Sequence, residues 1–163
     1  MNQAQARIDI DIAQQQLALY QGPQLAARFS ISSARNGVGE QRDSGCTPRG
    51  LHRIRAKIGE DCALNTVFVG RRPSGERYSS ELARQYPKRD WILTRILWLS
   101  GCEPGVNRLG HCDSMQRYIY IHGTPDSEPM GVALSHGCIR MRNADLVWLF
   151  DRVGCGTAVQ IDS

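Results

Sequence analysis

Cys138 and His136, separated only by Gly137, are the residues of this sequence best suited to covalent chemistry. A free thiol has a pKa of about 8.5, so an imidazole that takes its proton converts it into a thiolate nucleophile. Side chains two positions apart share a face in a strand, and in a tight turn a glycine at positive φ can bring its neighbours together. The spacing therefore predicts an acyl-transfer site with Cys138 as the nucleophile and His136 as its base.

The backbone around Cys138 offers two further aids to such a reaction. Gly137 has no side chain, so a substrate can approach closely, and the N–H groups of Gly137 and Cys138 are predicted to point at a developing oxyanion. Donors of this kind typically contribute about 2.7–4 kcal/mol each. A helix predicted to begin near Asn143 would place its positive end just downstream and favour the thiolate.

Two more side chains are expected at the same site. His122 precedes Cys138 by sixteen residues, across a loop rich in Gly and Pro, and is expected to orient His136, to bind substrate or to shape the pocket. Arg140 lies two positions beyond the nucleophile. In an extended chain Arg140 projects to the same side as Cys138, and its guanidinium group suits a carboxylate.

The hydropathy pattern predicts a mainly β protein. Apolar and polar residues alternate as in half-buried strands, and the segments around Ile8 and Leu17, joined by a polar turn, predict a hairpin. The segments 33–50 and 71–90 are long and polar enough to act as lids over the site. With one or two short helices, the expected architecture is a sandwich or a barrel. The strands are predicted at 8–12, 17–19, 25–31, 54–58, 66–69, 92–99, 117–122 and 157–161.

Two helices are predicted. The better signalled one takes Asn143 as its N-cap, carries Asp145 in its first turn and ends at Gly154. The other is a short helix over 81–85, capped by one of the two serines before it and stopped by the proline that follows. The apolar side chains of the longer helix fall on one face and are expected to pack on the sheet. They are Leu146, Leu149, Phe150 and Val153.

Length and composition predict one soluble domain over residues 1–163. The net charge is +4 and the Lys and Arg residues are scattered, which argues against a nucleic-acid partner. The first residues show neither the basic nor the apolar region of a signal peptide, and no apolar run is long enough to span a membrane. We therefore expect a cytoplasmic protein without a membrane partner. A periplasmic protein is the alternative if the sequence is part of a longer, exported chain.

The sequence contains six cysteines, an even number that permits disulfides. A chain of this size does not need disulfides to hold its core, so free thiols are expected. Cys102, His111 and Cys112, together with Cys46 or Cys62, offer ligand types that zinc accepts. Their spacing matches no standard zinc pattern, so we expect neither a metal nor a cofactor.

The motif around Cys138 resembles a known signature. SHGCIRM at 135–141, with IHG at 121–123, is similar to the signature of the L,D-transpeptidase catalytic domain, also called the YkuD domain. TPRGLHRI at 47–54 and the segment 75–101 extend the likeness over nearly the whole chain. The resemblance implies a YkuD-like β-sandwich with the cysteine in a catalytic loop at one end. One form of the motif has Asn two positions after the cysteine, where this sequence has Arg140.

The resemblance also implies a reaction, which is acyl transfer on peptidoglycan stem peptides. Cys138 would attack the carbonyl of the third residue, usually meso-diaminopimelate, and release the terminal D-alanine, with His136 as the base and Gly137 in the oxyanion contacts. Carbapenem β-lactams are expected as inhibitors. The substrate-binding positions implied by the resemblance are His122, Gly123, Ser135 and Arg140.

The thioester that this reaction forms on Cys138 has two fates. Attack by water makes the enzyme an L,D-carboxypeptidase, whereas attack by an amine makes it an L,D-transpeptidase that cross-links stems or exchanges D-amino acids. Since the sequence shows no export signal and no peptidoglycan-binding module, hydrolysis during muropeptide recycling is favoured. A non-catalytic peptidoglycan-binding or zinc-stabilised module is a third hypothesis.

Overall fold

The computed structural model describes residues 5–163, which form ten strands, two α-helices and one 3-10 turn. Neither helix, at six and eight residues, is long enough to cross a membrane. The elements in chain order are β1 (Ala6–Asp11), β2 (Gln16–Gln21), β3 (Gln24–Ser32), β4 (Gly50–Ile58), β5 (Thr66–Val69), β6 (Arg72–Arg77), α1 (Ser80–Gln85), β7 (Leu93–Gly101), the 3-10 turn (Gly110–Cys112), β8 (Tyr120–Thr124), β9 (Ile139–Arg142), α2 (Asn143–Phe150) and β10 (Ala158–Asp162).

The strands form a sheet that closes on itself. Hydrogen bonds connect them in the order β4-β10-β1-β2-β3-β9-β8-β7, and β7 pairs again with β4. The β5–β6 hairpin attaches to β7 outside this ring. A closed ring leaves no free edge among its members. The expectation of a mainly β sandwich or barrel with two short helices is therefore confirmed.

The first hairpin shows how the apolar pattern positions the strands. Ile8 stands opposite Leu19 and Ile10 opposite Leu17 in the β1–β2 ladder, and all four side chains are buried. On β1 the polar neighbours of Ile8 and Ile10 are exposed or partly exposed, because successive side chains of a strand alternate between its two faces. The predicted hairpin over these segments is confirmed.

Helix α2 packs its apolar face into the main core, as predicted. Leu146, Leu149 and Phe150 are almost fully buried and belong to the same cluster as the inward residues of β1 and β2. Nζ of Lys57, on β4, lies 2.6 Å from the carbonyl oxygen of Phe150 and 2.7 Å from that of Val153. The lysine thus satisfies carbonyl groups at the helix C-terminus that have no partner within the helix.

The ends of α2 differ from the prediction. Asn143 is the first helical residue rather than the N-cap, a position held by Arg142. The amide of Asn143 instead bonds other parts of the fold, with Nδ2 2.9 Å from the carbonyl oxygen of Thr124 and Oδ1 2.6 Å from Oγ1 of Thr94. The helix stops at Phe150, four residues before the predicted stop at Gly154.

The short helix α1 agrees with its prediction. Oγ of Ser79 accepts a hydrogen bond from the N–H of Leu82 at 3.1 Å, which is the expected N-terminal cap.

Two strands have no counterpart in the sequence prediction, and one begins later than predicted. Strand β6 is largely exposed and contains Pro and Gly, so it lacks the alternation that marks a strand. Strand β9 has only four residues. The predicted strand over 117–122 begins only at Tyr120, because the chain turns before it and Tyr118 adopts a φ of 57°.

Candidate active site

A cavity of about 530 Å³ opens where β8 and β9 run side by side. The sequence-predicted residues that line it are His122, Ser135, His136, Cys138 and Arg140. Six other residues also line it, none of which the sequence analysis assigned to the site: Gly70, Arg71, Asp90, Ile92, Tyr118 and Tyr120. The two predicted glycines, Gly123 and Gly137, are not among the residues that line the cavity.

The sulfur of Cys138 is held by the backbone of the segment that leads into β8. Sγ accepts a hydrogen bond from the N–H of Tyr120 at 3.3 Å and donates one to the carbonyl oxygen of Tyr118, also at 3.3 Å. The residue is half-buried, and removal of its sulfur from water raises the pKa of Cys138 to about 12. Burial therefore favours the protonated thiol, and the thiolate–imidazolium pair that the sequence spacing suggested stays a prediction.

His136 reaches the mouth of the cavity but faces mostly solvent. Its side chain is 75% exposed, and its Nδ1 lies 3.5 Å from Oδ2 of Asp90. Within residues 5–163 the hydrogen bonds of the Cys138 sulfur go to Tyr118 and Tyr120 and none goes to His136. No contact between His136 and the Cys138 sulfur thus supports His136 as the base, and that role stays a prediction.

His122 is the buried histidine of the cavity. Its Nδ1 lies 2.7 Å from the carbonyl oxygen of Gly123, so Nδ1 carries the proton of the neutral ring. The other nitrogen, Nε2, has no hydrogen-bond partner among residues 5–163. Burial lowers the pKa of His122, which keeps the ring neutral. A neutral ring with an unprotonated nitrogen can accept a proton, and His122 lines the same cavity as the Cys138 thiol.

Gly123 supports this arrangement through its own lack of a side chain. A Cβ at this position would overlap the carbonyl group of Leu93 and the side chain of Asn143. Only glycine therefore fits at this position of β8, and the Gly123 carbonyl group is kept in place to orient His122. The substrate contact that the resemblance implied for Gly123 stays a prediction.

The turn that carries Cys138 is fixed by two hydroxyl groups. Oγ of Ser135 donates to the carbonyl oxygen of Cys138 at 2.6 Å and accepts from the N–H of Gly137 at 3.2 Å. Oγ1 of Thr47 donates to the carbonyl oxygen of Gly137 at 2.9 Å. Gly137 has a φ of 135°, a region that favours glycine. Because the Gly137 N–H is occupied by Ser135, it is not free for the predicted oxyanion contact.

Thr47 had no assigned role in the sequence analysis. It is fully buried and comes from the polar segment 33–50, which therefore supports the catalytic turn in addition to any role as a cover. The only sequence signal for it is its place at the start of TPRGLHRI, one of the segments that carried the family resemblance.

Arg140 is paired with a carboxylate of the protein itself. Its Nη2 lies 3.0 Å from Oδ1 of Asp90, and the arginine side chain is only 11% exposed. The other oxygen of Asp90 is the one that approaches His136. Asp90 therefore neutralises Arg140 and connects it to His136. No local sequence motif predicted this arrangement.

Within residues 5–163 no group of three or more His, Cys, Asp or Glu side chains lies close enough to hold a metal ion. This covers Cys102, His111 and Cys112, the residues considered for zinc. All six cysteines are free thiols in the structure.

This fold and the motif around its cavity are those of an L,D-transpeptidase catalytic domain. The model of the family "YkuD: L,D-transpeptidase catalytic domain" matches residues 5–161, and the chain belongs to that family. A similar protein is the probable L,D-transpeptidase YbiS of Escherichia coli K12, 48% identical over 108 residues. The match covers 64% of this chain and 34% of the relative, so the aligned part is about one third of that protein's length.

Solved structures of L,D-transpeptidases share the fold. An L,D-transpeptidase from Mycobacterium smegmatis superposes with a TM-score of 0.63 at 16% identity, covering 98% of this chain and 59% of the other. L,D-transpeptidase 3 from Mycobacterium tuberculosis, in complex with a faropenem-derived adduct, gives a TM-score of 0.59 at 16% identity, with coverages of 99% and 61%.

Proposed function

We propose that this chain transfers acyl groups of peptidoglycan stem peptides through a thioester on Cys138, with His122 as the base. The observation that carries the proposal is the shared cavity, in which the Cys138 thiol lies with a buried, neutral imidazole whose Nε2 is unprotonated. His136 was the base expected from sequence. Its exposure and its approach to Asp90 favour a secondary role at the cavity mouth.

In the proposed reaction the proton moves as the bond forms. Sγ attacks the carbonyl carbon of the third stem residue while its proton passes to Nε2 of His122, so no free thiolate has to exist beforehand. The N–H of Cys138 is the donor we assign to the oxyanion, since that of Gly137 is bound to Ser135. Collapse of the intermediate returns the proton to the leaving nitrogen of D-alanine, which departs and leaves the thioester.

We further propose that water resolves the thioester, which makes the protein an L,D-carboxypeptidase. The cavity of about 530 Å³ has the size of a small-molecule site. Hydrolysis needs only one stem end and a water molecule at the sulfur, whereas cross-linking needs a second stem to reach it. Hydrolysis also regenerates the enzyme simply, because His122 can activate the water and then return the proton to Sγ.

The proposed setting is the recycling of muropeptides in the cytoplasm. Six free cysteines suit a reducing compartment, where thiols stay unpaired. The alternative is an L,D-transpeptidase in the periplasm. Its activity is the one for which relatives such as YbiS are named. That second activity would join stems or exchange the terminal D-amino acid through the same thioester.

Product analysis by mass spectrometry tests the proposal and separates the two activities. The protein is incubated with a disaccharide tetrapeptide, with and without a large excess of a second D-amino acid. Release of D-alanine with tripeptide as the dominant product supports hydrolysis, whereas dimers or exchanged tetrapeptide as the dominant product support transfer to an amine. Unchanged substrate with wild type, or equal turnover by Cys138→Ala, would refute the proposed chemistry.

A further inference from the structure

Arg71 occupies a backbone position that arginine rarely adopts. It forms with Gly70 the two-residue loop between β5 and β6, and both residues have positive φ, 55° for Gly70 and 64° for Arg71. Hairpin loops with two positive φ angles favour Asn and Gly, since a side chain is strained there. Such an outlier beside a catalytic cavity points to a use for the side chain.

The side chain of Arg71 is held against the wall of the catalytic cavity. Its Nη1 donates to the hydroxyl oxygen of Tyr120 at 3.0 Å, and its guanidinium carbon lies 4.6 Å from the ring centre of Trp98 and 4.9 Å from that of Tyr118. Cation–π contacts of this kind hold a guanidinium in place without neutralising it. Tyr120 also holds the Cys138 sulfur through its N–H, so one residue joins the cation to the nucleophile.

The two arginines of the cavity differ in their charge balance. Arg140 is paired with Asp90 at 3.0 Å, so its charge is compensated inside the protein. Arg71 makes no salt bridge within residues 5–163, and its hydrogen-bond partner is a neutral phenol. The uncompensated positive charge of the cavity therefore belongs to Arg71, which has further N–H groups free to bind an anion.

We propose that Arg71 binds the C-terminal carboxylate of the stem peptide and thereby restricts the enzyme to chain ends. This inference rests on the proposed function and names the group of the substrate that the cavity selects. When the carbonyl of the third residue lies at Sγ, a terminal D-alanine places its carboxylate only one residue away. A guanidinium on the same wall suits this carboxylate, and a stem extended or amidated at its end lacks it.

Binding measurements test the inference independently of turnover. In a Cys138→Ala background, the Kd is measured by calorimetry for the tetrapeptide and for the same peptide ending in D-alaninamide, before and after adding Arg71→Gln. A charge-assisted contact of ordinary strength predicts that Arg71→Gln weakens binding of the acid about 10- to 100-fold. With Arg71 present, the amidated peptide should bind more weakly than the acid by the same factor. Arg71→Gln should not weaken binding of the amidated peptide any further.

The neighbouring Arg72→Gln provides the matched control, because Arg72 is exposed and does not line the cavity. Its Kd values for both peptides should equal those of the Cys138→Ala parent. If Arg71→Gln and amidation weaken binding by independent factors, or if Arg71→Gln leaves the Kd of the acid unchanged, the assignment of Arg71 is wrong. A wild-type protein that binds the tetrapeptide but releases no D-alanine would refute the proposed function and leave this result standing.

Discussion

Nδ1 of His122 and the carbonyl oxygen of Gly123 lie 2.7 Å apart, so a glycine carbonyl decides which nitrogen of the ring holds its proton. Only the other nitrogen can then act as a base. The same glycine cannot carry a side chain, because Leu93 and Asn143 leave no room for one. The backbone of the strand thus fixes the tautomer of His122. We propose this residue as the base because of that geometry.

The two histidines of the cavity make the most direct prediction. His122→Asn should lower kcat/KM for tetrapeptide cleavage by about 10²- to 10⁴-fold, the usual range for a lost general base. His136→Asn should lower it by less than about tenfold, because the ring faces solvent and does not contact the sulfur. Steady-state rates of D-alanine release measure both, with thermal melting as the check on folding. The reverse order would restore His136 as the base.

The pH dependence follows from the directions of the two pKa shifts. Burial lowers the pKa of His122 below its ordinary 6.5, so the ring is neutral and active at pH 7, and kcat/KM should fall only in more acidic solution. Burial raises the pKa of Cys138 to about 12, so its thiol should react slowly with iodoacetamide at neutral pH and faster as the pH rises.

The exposed thiol of Cys155 provides an internal reference for that alkylation experiment. Peptide mapping after a short exposure to iodoacetamide at neutral pH should show Cys155 modified before Cys138. Preferential modification of Cys138 would instead reveal a thiolate formed before substrate binds, as the spacing of Cys138 and His136 first suggested.

Ser135 should prove essential to the catalytic turn. Ser135→Ala removes the donor to the Cys138 carbonyl and the acceptor for the Gly137 N–H, and leaving buried groups unpaired costs about 1–3 kcal/mol. We expect a loss of unfolding free energy in this range by urea denaturation and a lower kcat. Ser30→Ala, at an exposed site on β3, should change neither. An equally stable and active Ser135→Ala protein would contradict this role.

A β-lactam should acylate the cavity thiol selectively. The strained ring presents a carbonyl to the nucleophile, and a solved L,D-transpeptidase of the same fold is in complex with a faropenem-derived adduct. Intact-mass analysis with imipenem should therefore show a single adduct that Cys138→Ser abolishes. Cys46→Ser should retain it, and an adduct located on Cys46 would contradict the site assignment.

A second buried histidine predicts how stability depends on pH. His52 is fully buried, with Nε2 2.8 Å from Oγ of Ser114, and burial lowers its pKa from 6.5 to about 4. Between these values the unfolded chain binds a proton that the folded chain does not, so the unfolding free energy should fall as the pH drops. The expected loss is about 3 kcal/mol.

Urea denaturation across this pH interval measures the effect, and NMR titration of the His52 ring reports its pKa directly. A ring that titrates near its ordinary 6.5 would contradict the prediction. In His52→Gln, provided that it folds, the corresponding part of the pH dependence should be absent.

Local patterns were enough to predict much of the fold. Ile8 and Leu17 alternate with polar neighbours, and this period directly encodes a strand with one buried face. The apolar face of α2, including Leu146 and Phe150, is encoded in the same way. The start of that helix was not, because Asn143 hydrogen-bonds to Thr94 and Thr124, partners that no local pattern reveals.

The sequence by itself determined the family, the mainly β fold and the segment that carries Cys138, because these depend on residue types and spacings along the chain. Only the tertiary structure decided which groups meet there. In the folded chain Asp90 forms a salt bridge with Arg140, and Arg71 lines the cavity. His122 is buried, whereas His136 faces solvent. These relationships join strands that are distant in sequence, and protonation states follow from burial, which exists only once the chain has folded.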